Sequence, residues 1–82
     1  MNILPLHPDL AKYLQKHQLE KKFAKQQAFL RQNPFYPSLH TELLKPRHLR
    51  IWSFRIDKRY RAIFFFRAPD TVEIIDINDH YH

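Results

Sequence analysis

Residues 49–67 read LRIWSFRIDKRYRAIFFFR, and both halves of this stretch alternate with period two. In the first half Trp52, Phe54 and Ile56 share one face, with Ile51, Ser53 and Arg55 on the other. In the second half Tyr60, Ala62, Phe64 and Phe66 stand against Arg61, Ile63, Phe65 and Arg67. Period two belongs to β-strands, and strands this close in sequence pair as an antiparallel hairpin. Its register follows from the faces. A two-residue loop at Asp57–Lys58 would set Arg61 opposite Phe54, on the Trp52 face. A three-residue loop, Asp57 to Arg59, pairs Ile56 with Tyr60 and Arg55 with Arg61. It keeps aromatics with aromatics and arginines together. Because a slip of one residue exchanges the faces, the three-residue loop is expected. It must form without the glycine that such loops favour, since the chain has none.

Working outward, NILPLH (residues 2–7) is a short apolar stretch, and Pro5 suits it to a sheet edge. Residues 7–32 carry the helical i, i+3, i+4 pattern through Leu10, Tyr13 and Leu14, then Leu19, Phe23 and Leu30. The periodicity breaks at His17–Gln18, so two helices are expected, with Pro8 at the first helical position and Asn33–Pro34 as the end. Residues 35–46 read as loop, with one helical turn capped by Ser38. Ala68-Pro69-Asp70 is a turn, and TVEIIDINDHYH (71–82) is the last strand. Strict alternation there puts Asp76, Asn78, His80 and His82 on one side and Ile75, Ile77 and Tyr81 on the other. The expected fold is α+β in the order β-α-α-β-β-β. Two N-terminal helices pack on one face of a small, mostly antiparallel four-stranded sheet, in a single domain over residues 1–82. The opposite sheet face is expected to be open and to carry Arg55, Arg61 and His80.

Composition narrows the function. With 44% hydrophobic and 15% aromatic residues the chain is not of the disordered class. The absence of cysteine excludes disulfides and thiolate metal sites, and the absence of glycine excludes glycine-rich phosphate loops and the dinucleotide fingerprint. No apolar run is long enough for a membrane span, and MNILPLHPDL lacks the layout of a signal peptide. A soluble cytoplasmic protein without a cofactor is the expectation. The net charge of +6 is unevenly placed: residues 45–67 hold eight Lys/Arg against one acid, whereas residues 68–82 hold four acids and no Lys or Arg. A local basic block of this kind suits an anionic partner such as RNA, DNA or an acidic protein. A plain solvated face is the alternative.

The segment from Asn33 to His82, with its Pro-Ser-Leu step, its Trp-Ser-x-Arg-Ile strand, its turn ending in Tyr-Arg and its final strand closing on His and Tyr, resembles the RelE/ParE toxin superfamily. ELLKPRHLRIWSFRI (42–56) is most similar to the YoeB branch of ribosome-dependent mRNA interferases. The resemblance implies the toxin of a type II toxin–antitoxin module, a metal-independent endoribonuclease. Its partners would be mRNA, the ribosome and a cognate antitoxin that is acidic and partly helical. It assigns Glu42 as general base, Arg61 as the arginine on the scissile phosphate, His80 as general acid and Tyr81 as its neighbour. Lys45 and Arg55 match basic residues near the site, and Arg50, from the same basic block, joins them as a candidate RNA or ribosome contact. The spacing from Arg61 to His80 is one residue longer than in that branch, which leaves the acid open between His80 and His82.

These residue types suit the chemistry. In metal-free RNA cleavage a base takes the proton of the 2′-OH, cations stabilise the phosphoryl oxygens, and an acid protonates the 5′-oxygen. The guanidinium fork binds two phosphate oxygens at once, and imidazole titrates near neutrality. Structural alternatives stand beside each role. Glu42 could pair with Lys45, Arg61 with Asp57 or Asp76, and Tyr81 could belong to the core. His80 and His82 alone make too few ligands for a metal. A ParE-like inhibitor of DNA gyrase, or a RelE-fold binding protein without nuclease activity, is the alternative function.

Overall fold

A computed structural model describes residues 1–79 of the chain. The elements are β1 (Asn2–Ile3), α1 (Pro8–Lys16), α2 (Glu20–Gln32), β2 (Glu42–Leu43), β3 (Trp52–Arg55), β4 (Arg61–Ala68) and β5 (Thr71–Asn78). The sheet runs in the order β1-β5-β4-β3-β2. The expectation of four strands, mostly antiparallel, is therefore corrected: the sheet has five strands and is mixed. β1 lies parallel to β5, with Asn2 opposite Thr71 and Ile3 opposite Val72. The extra strand is β2, antiparallel to β3 through Glu42–Ser53 and Leu43–Trp52. Two residues are too few to show alternation, so a stretch that reads as loop becomes an edge strand by pairing with a neighbour it meets only in the fold. The α+β class and the order of helices before hairpin strands hold.

The helices begin and end where side chains replace missing backbone partners. The His7 Nδ1 accepts from the Asp9 amide at 3.1 Å, Pro8 occupies the first turn, and Asp9 lies at the positive end of the helix dipole. α1 closes with the Gln18 amide donating to Gln15 and the Leu19 amide donating to Leu14, at 3.1 and 2.8 Å. This is the Schellman arrangement, with Leu14 and Leu19 in the accompanying buried contact. The residue it holds in the left-handed region is Gln18, φ 56°. The one helical turn expected after Ser38 is a 3-10 turn over Pro37–Leu39, beginning two residues earlier, with Tyr36 as cap. Pro37 takes the first position, and the Ser38 hydroxyl donates to Gln26 instead.

The helices cover one face of the sheet. Phe54 and Phe64 are fully buried with ring centroids 5.8 Å apart, and Phe23 of α2 sits 6.2 Å from Phe54. Leu14, Leu19, Leu30, Leu39, Ile56 and Ala62 close the same core. Burying each large apolar side chain contributes about 1.5–3 kcal/mol, so this layer carries most of the fold's stability. The hairpin has the expected three-residue loop, with Arg55 opposite Arg61 and the Ile56 amide donating to Tyr60 at 2.9 Å. Asp57 replaces the missing glycine. One of its carboxylate oxygens accepts from the Arg59 and Tyr60 amides at 2.8 and 2.7 Å, and the other from Lys22 Nζ at 3.1 Å.

Two expectations about faces need correction. Strict alternation places Ile75 with Ile77, yet Ile75 is exposed while Val72, Ile74 and Ile77 are buried. Ile63 pairs with Asp76 and Phe64 with Ile74, so Ile75 is an extra residue bulged out of β5. The bulge lets both halves of the strand bury an isoleucine. The sheet face opposite the helices, expected to be open, is closed at its centre: Ser53 is 1% exposed and Arg61 4%.

The two turns make separate predictions. A glycine at position 18 accepts the left-handed region without the Cβ penalty, so Gln18→Gly should raise stability by about 1 kcal/mol, read from the urea unfolding midpoint. Partial burial pushes the Asp57 carboxyl up, but the two amides and Lys22 outweigh it and hold the group below its ordinary value of 3.8. A carboxyl held lower in the folded than in the unfolded chain stabilises above the unfolded value, and that stabilisation disappears as pH falls through the folded one. Asp57→Ala should therefore cost about 1–2 kcal/mol at neutral pH and flatten the acid limb of the stability curve below about pH 4. An unchanged acid limb would refute this role for Asp57.

Candidate active site

Arg61 opens β4, between Arg55 of β3 and Asn78 of β5 in the ladder. Glu42 lies on β2, opposite Ser53 of β3. Cross-strand partners share a face, so Glu42, Ser53, Ile63 and Asp76 form one row, with Arg55, Arg61 and Asn78 in the next. The Arg61 guanidinium reaches over β3 to Glu42, Nη1 to Oε1 3.4 Å. The arginine side chain is 5% exposed and the glutamate 42%. A cation this buried requires a carboxylate or hydrogen-bond acceptors beside it, and β2 supplies the carboxylate.

Two residues named from the sequence as base and phosphate ligand are thus in contact. The structural alternatives are resolved differently: the Asp57 carboxylate serves its own turn and Lys22, and Asp76 accepts from the Asn78 side-chain amide at 2.9 Å. Arg55 is the cross-strand neighbour of Arg61. Lys45 is exposed in the connection after β2. Arg50 does not join the pair. It ends the 3-10 turn Arg47–Leu49 in the left-handed region and places its guanidinium over the Trp52 ring, 5.8 Å from the centroid. Trp52 packs against Phe66 and Phe35, on the helix side of the sheet. His80 and Tyr81, and with them His82, lie outside the described residues. Among the described residues no three His, Asp or Glu side chains gather as metal ligands, and no helix is long and apolar enough to cross a membrane.

Sequence reading misses two residues of this region. Ser53 lies almost wholly buried on the arginine face, and its hydroxyl has no hydrogen-bond partner among the described residues. Gln26, also buried, donates from Nε2 to the carbonyls of Arg55 and Ser38 at 2.7 and 3.0 Å. It thereby pins α2 to the end of β3 and fixes the backbone that carries Arg55. The signal for Gln26 is present: it stands three residues after Phe23 and four before Leu30, a polar side chain on the apolar stripe of its helix. Ser53 gives no such signal, because a serine on a sheet face expected to be open needs no partner.

No family model matches the chain, and no curated protein matches it. Among solved structures it is similar to a YoeB/ParE toxin from Agrobacterium tumefaciens, with a TM-score of 0.75 and 20% identity over 99% of this chain and 100% of that one. It is also similar to a chain of the YoeB-YefM complex from Staphylococcus aureus, with a TM-score of 0.71 and 20% identity over 98% of this chain and 94% of that one. For the YoeB dimer from the same organism the TM-score is 0.65 and the identity 22%, with the same coverage. The chain therefore has the fold of the YoeB/ParE toxins, in agreement with the resemblance carried by its sequence.

Proposed function

We propose that this protein is the toxin of a toxin–antitoxin pair and an endoribonuclease that cuts mRNA on the ribosome without a metal. The observation that carries the reading is the contact between Glu42 and Arg61 on the sheet face of a YoeB/ParE-type fold. A phosphodiester entering this face competes with the Glu42 carboxylate for the Arg61 fork. As Arg61 turns to the phosphoryl oxygens, Glu42 is released to accept the proton of the adjacent 2′-OH. The 2′-oxygen then attacks phosphorus, the bond to the 5′-oxygen breaks, and a proton from His80 or His82 completes the leaving hydroxyl. The products are a 2′,3′-cyclic phosphate and a free 5′-OH. Lys45 and Arg55 add positive potential around the path of the RNA. An acidic, partly helical antitoxin neutralises the protein by covering its basic surface, as a YoeB-YefM complex exists for a structural neighbour.

A second reading has one observation in its favour. Arg61 is nearly inaccessible, and an arginine so placed serves a sheet as well as a substrate. In that case the protein arrests growth by binding, as a ParE-like gyrase inhibitor, or binds its partner and does nothing else.

Controlled expression with mapping of mRNA 5′ ends separates the two. New ends within translated codons are expected for the wild-type chain. Glu42→Gln should lower the cleavage rate by about 10²–10⁴-fold, and Arg61→Lys by about 10²–10³-fold, with circular dichroism confirming the fold of each. Growth arrest that persists undiminished in both variants, with no new mRNA ends, would establish the second reading.

A further inference from the structure

A cleft of about 400 Å³ opens between α2 and the tip of the β3–β4 hairpin. Its cations are Lys22, Lys25, Arg55 and Lys58, and His40 stands at its wall. Its single carboxylate, Asp57, is already matched by Lys22 at 3.1 Å. Among the described residues no carboxylate pairs with Lys25, Arg55 or Lys58. The Nε of Arg55 is buried and has no hydrogen-bond partner among them. A buried donor left without an acceptor is costly, and a guanidinium answers best to the paired oxygens of an anion. The volume is large enough for a phosphate with its sugar.

The lining argues for nucleic acid over an acidic protein. A helical acidic segment docks through apolar anchors at helical spacing, and the one aliphatic side chain in this cleft, Ile56, is 4% exposed. Phosphate needs no anchor of that kind. Position argues the same way. Arg55 lines the cleft and is the cross-strand neighbour of Arg61, so one residue links the cleft to the strand that carries the Arg61–Glu42 pair. We infer that the cleft seats backbone phosphates of the RNA flanking the cleaved bond, with Lys25 and Lys58 as their ligands. This assignment rests on the ribonuclease reading of the neighbouring pair.

The test uses the full chain and a short fluorescent 2′-O-methyl oligouridylate, which binds like RNA but cannot be cut by 2′-OH attack. Anisotropy titrations over a range of salt give the slope of log K against log salt. Lys25→Ala/Lys58→Ala should weaken binding about tenfold at low salt and make the slope shallower by about 1.4, at about 0.7 for each single-strand phosphate no longer neutralised. Both lysines are exposed, so the melting temperature should not move. Lys12→Ala/Lys16→Ala, on α1, should leave the slope as it was. A slope unchanged in the cleft variant, or changed equally in the α1 variant, overturns the proposal. So does a cleft variant that loses binding to polyglutamate while keeping its RNA slope, since the cleft would then belong to an acidic protein. Cleavage plays no part in the readout. A chain that shows the expected slopes but cuts no mRNA would overturn the ribonuclease reading and leave the phosphate cleft standing.

Discussion

A guanidinium withdrawn from water is the constraint around which this sheet is arranged. Arg61 begins β4 with almost no solvent exposure, and its ion pair with Glu42 spans an intervening strand. Ion pairs at protein surfaces are worth little, but removing the acid from a buried cation leaves a charge that water cannot reach. The pair therefore demands that β2 exist. Glu42 reaches Arg61 only because Glu42–Leu43 pairs with β3 in a fixed register. That pairing holds in turn because Leu44 donates to Ile51 at 2.8 Å and closes the connection between the two strands. A two-residue strand without intrinsic stability is thus bound to the electrostatics of the face it completes.

The helix layer meets the same face from behind. Gln26 spends both of its amide donors on carbonyls of the 3-10 turn and the end of β3. Lys22, one turn earlier on α2, holds the hairpin loop through Asp57. At the other end of the hairpin loop the Tyr60 hydroxyl and His17 Nδ1 share a hydrogen bond of 3.2 Å, with the Tyr13 ring tilted against His17 at 4.3 Å between centroids. The arginine-bearing backbone is therefore located from the helix side by polar contacts, while the aromatic core sets the distance between the layers. Hydrophobic burial is not directional, so the specific placement of Arg55 and Arg61 depends on these few hydrogen bonds.

What can be read in the sequence is whatever repeats over several residues. The hairpin register is legible because six alternating positions before the loop and eight after it agree on one loop length, and both helices because their apolar stripes stop and restart at His17–Gln18. β2 is not legible, since two residues have no period. The face of Ile75 is misread because a bulge leaves the composition of a strand unchanged while shifting its phase. The Glu42–Arg61 pair is reached through family resemblance alone; charge placement points only to a basic region. The cleft beside it is invisible, because its lysines come from α2 and the hairpin tip, about thirty residues apart in the chain.

The bulge at Ile75 also changes how distance along β5 is counted. Up to Ile74 the strand and the β4 ladder advance together from the Pro69–Asp70 turn, after an offset at Arg67. From Asp76 onward the extra residue at Ile75 cancels the earlier one at Arg67, and Arg61 stands opposite Asn78. Only the stretch between the two offsets, Val72 to Ile74, is out of step with a count made from the turn. Spacing along the chain and spacing along the ladder become two different rulers, and only the second measures what can touch the arginine. An insertion or deletion between Ile74 and Asp76 would reset that ruler for every residue beyond it while leaving the buried half of the strand in place.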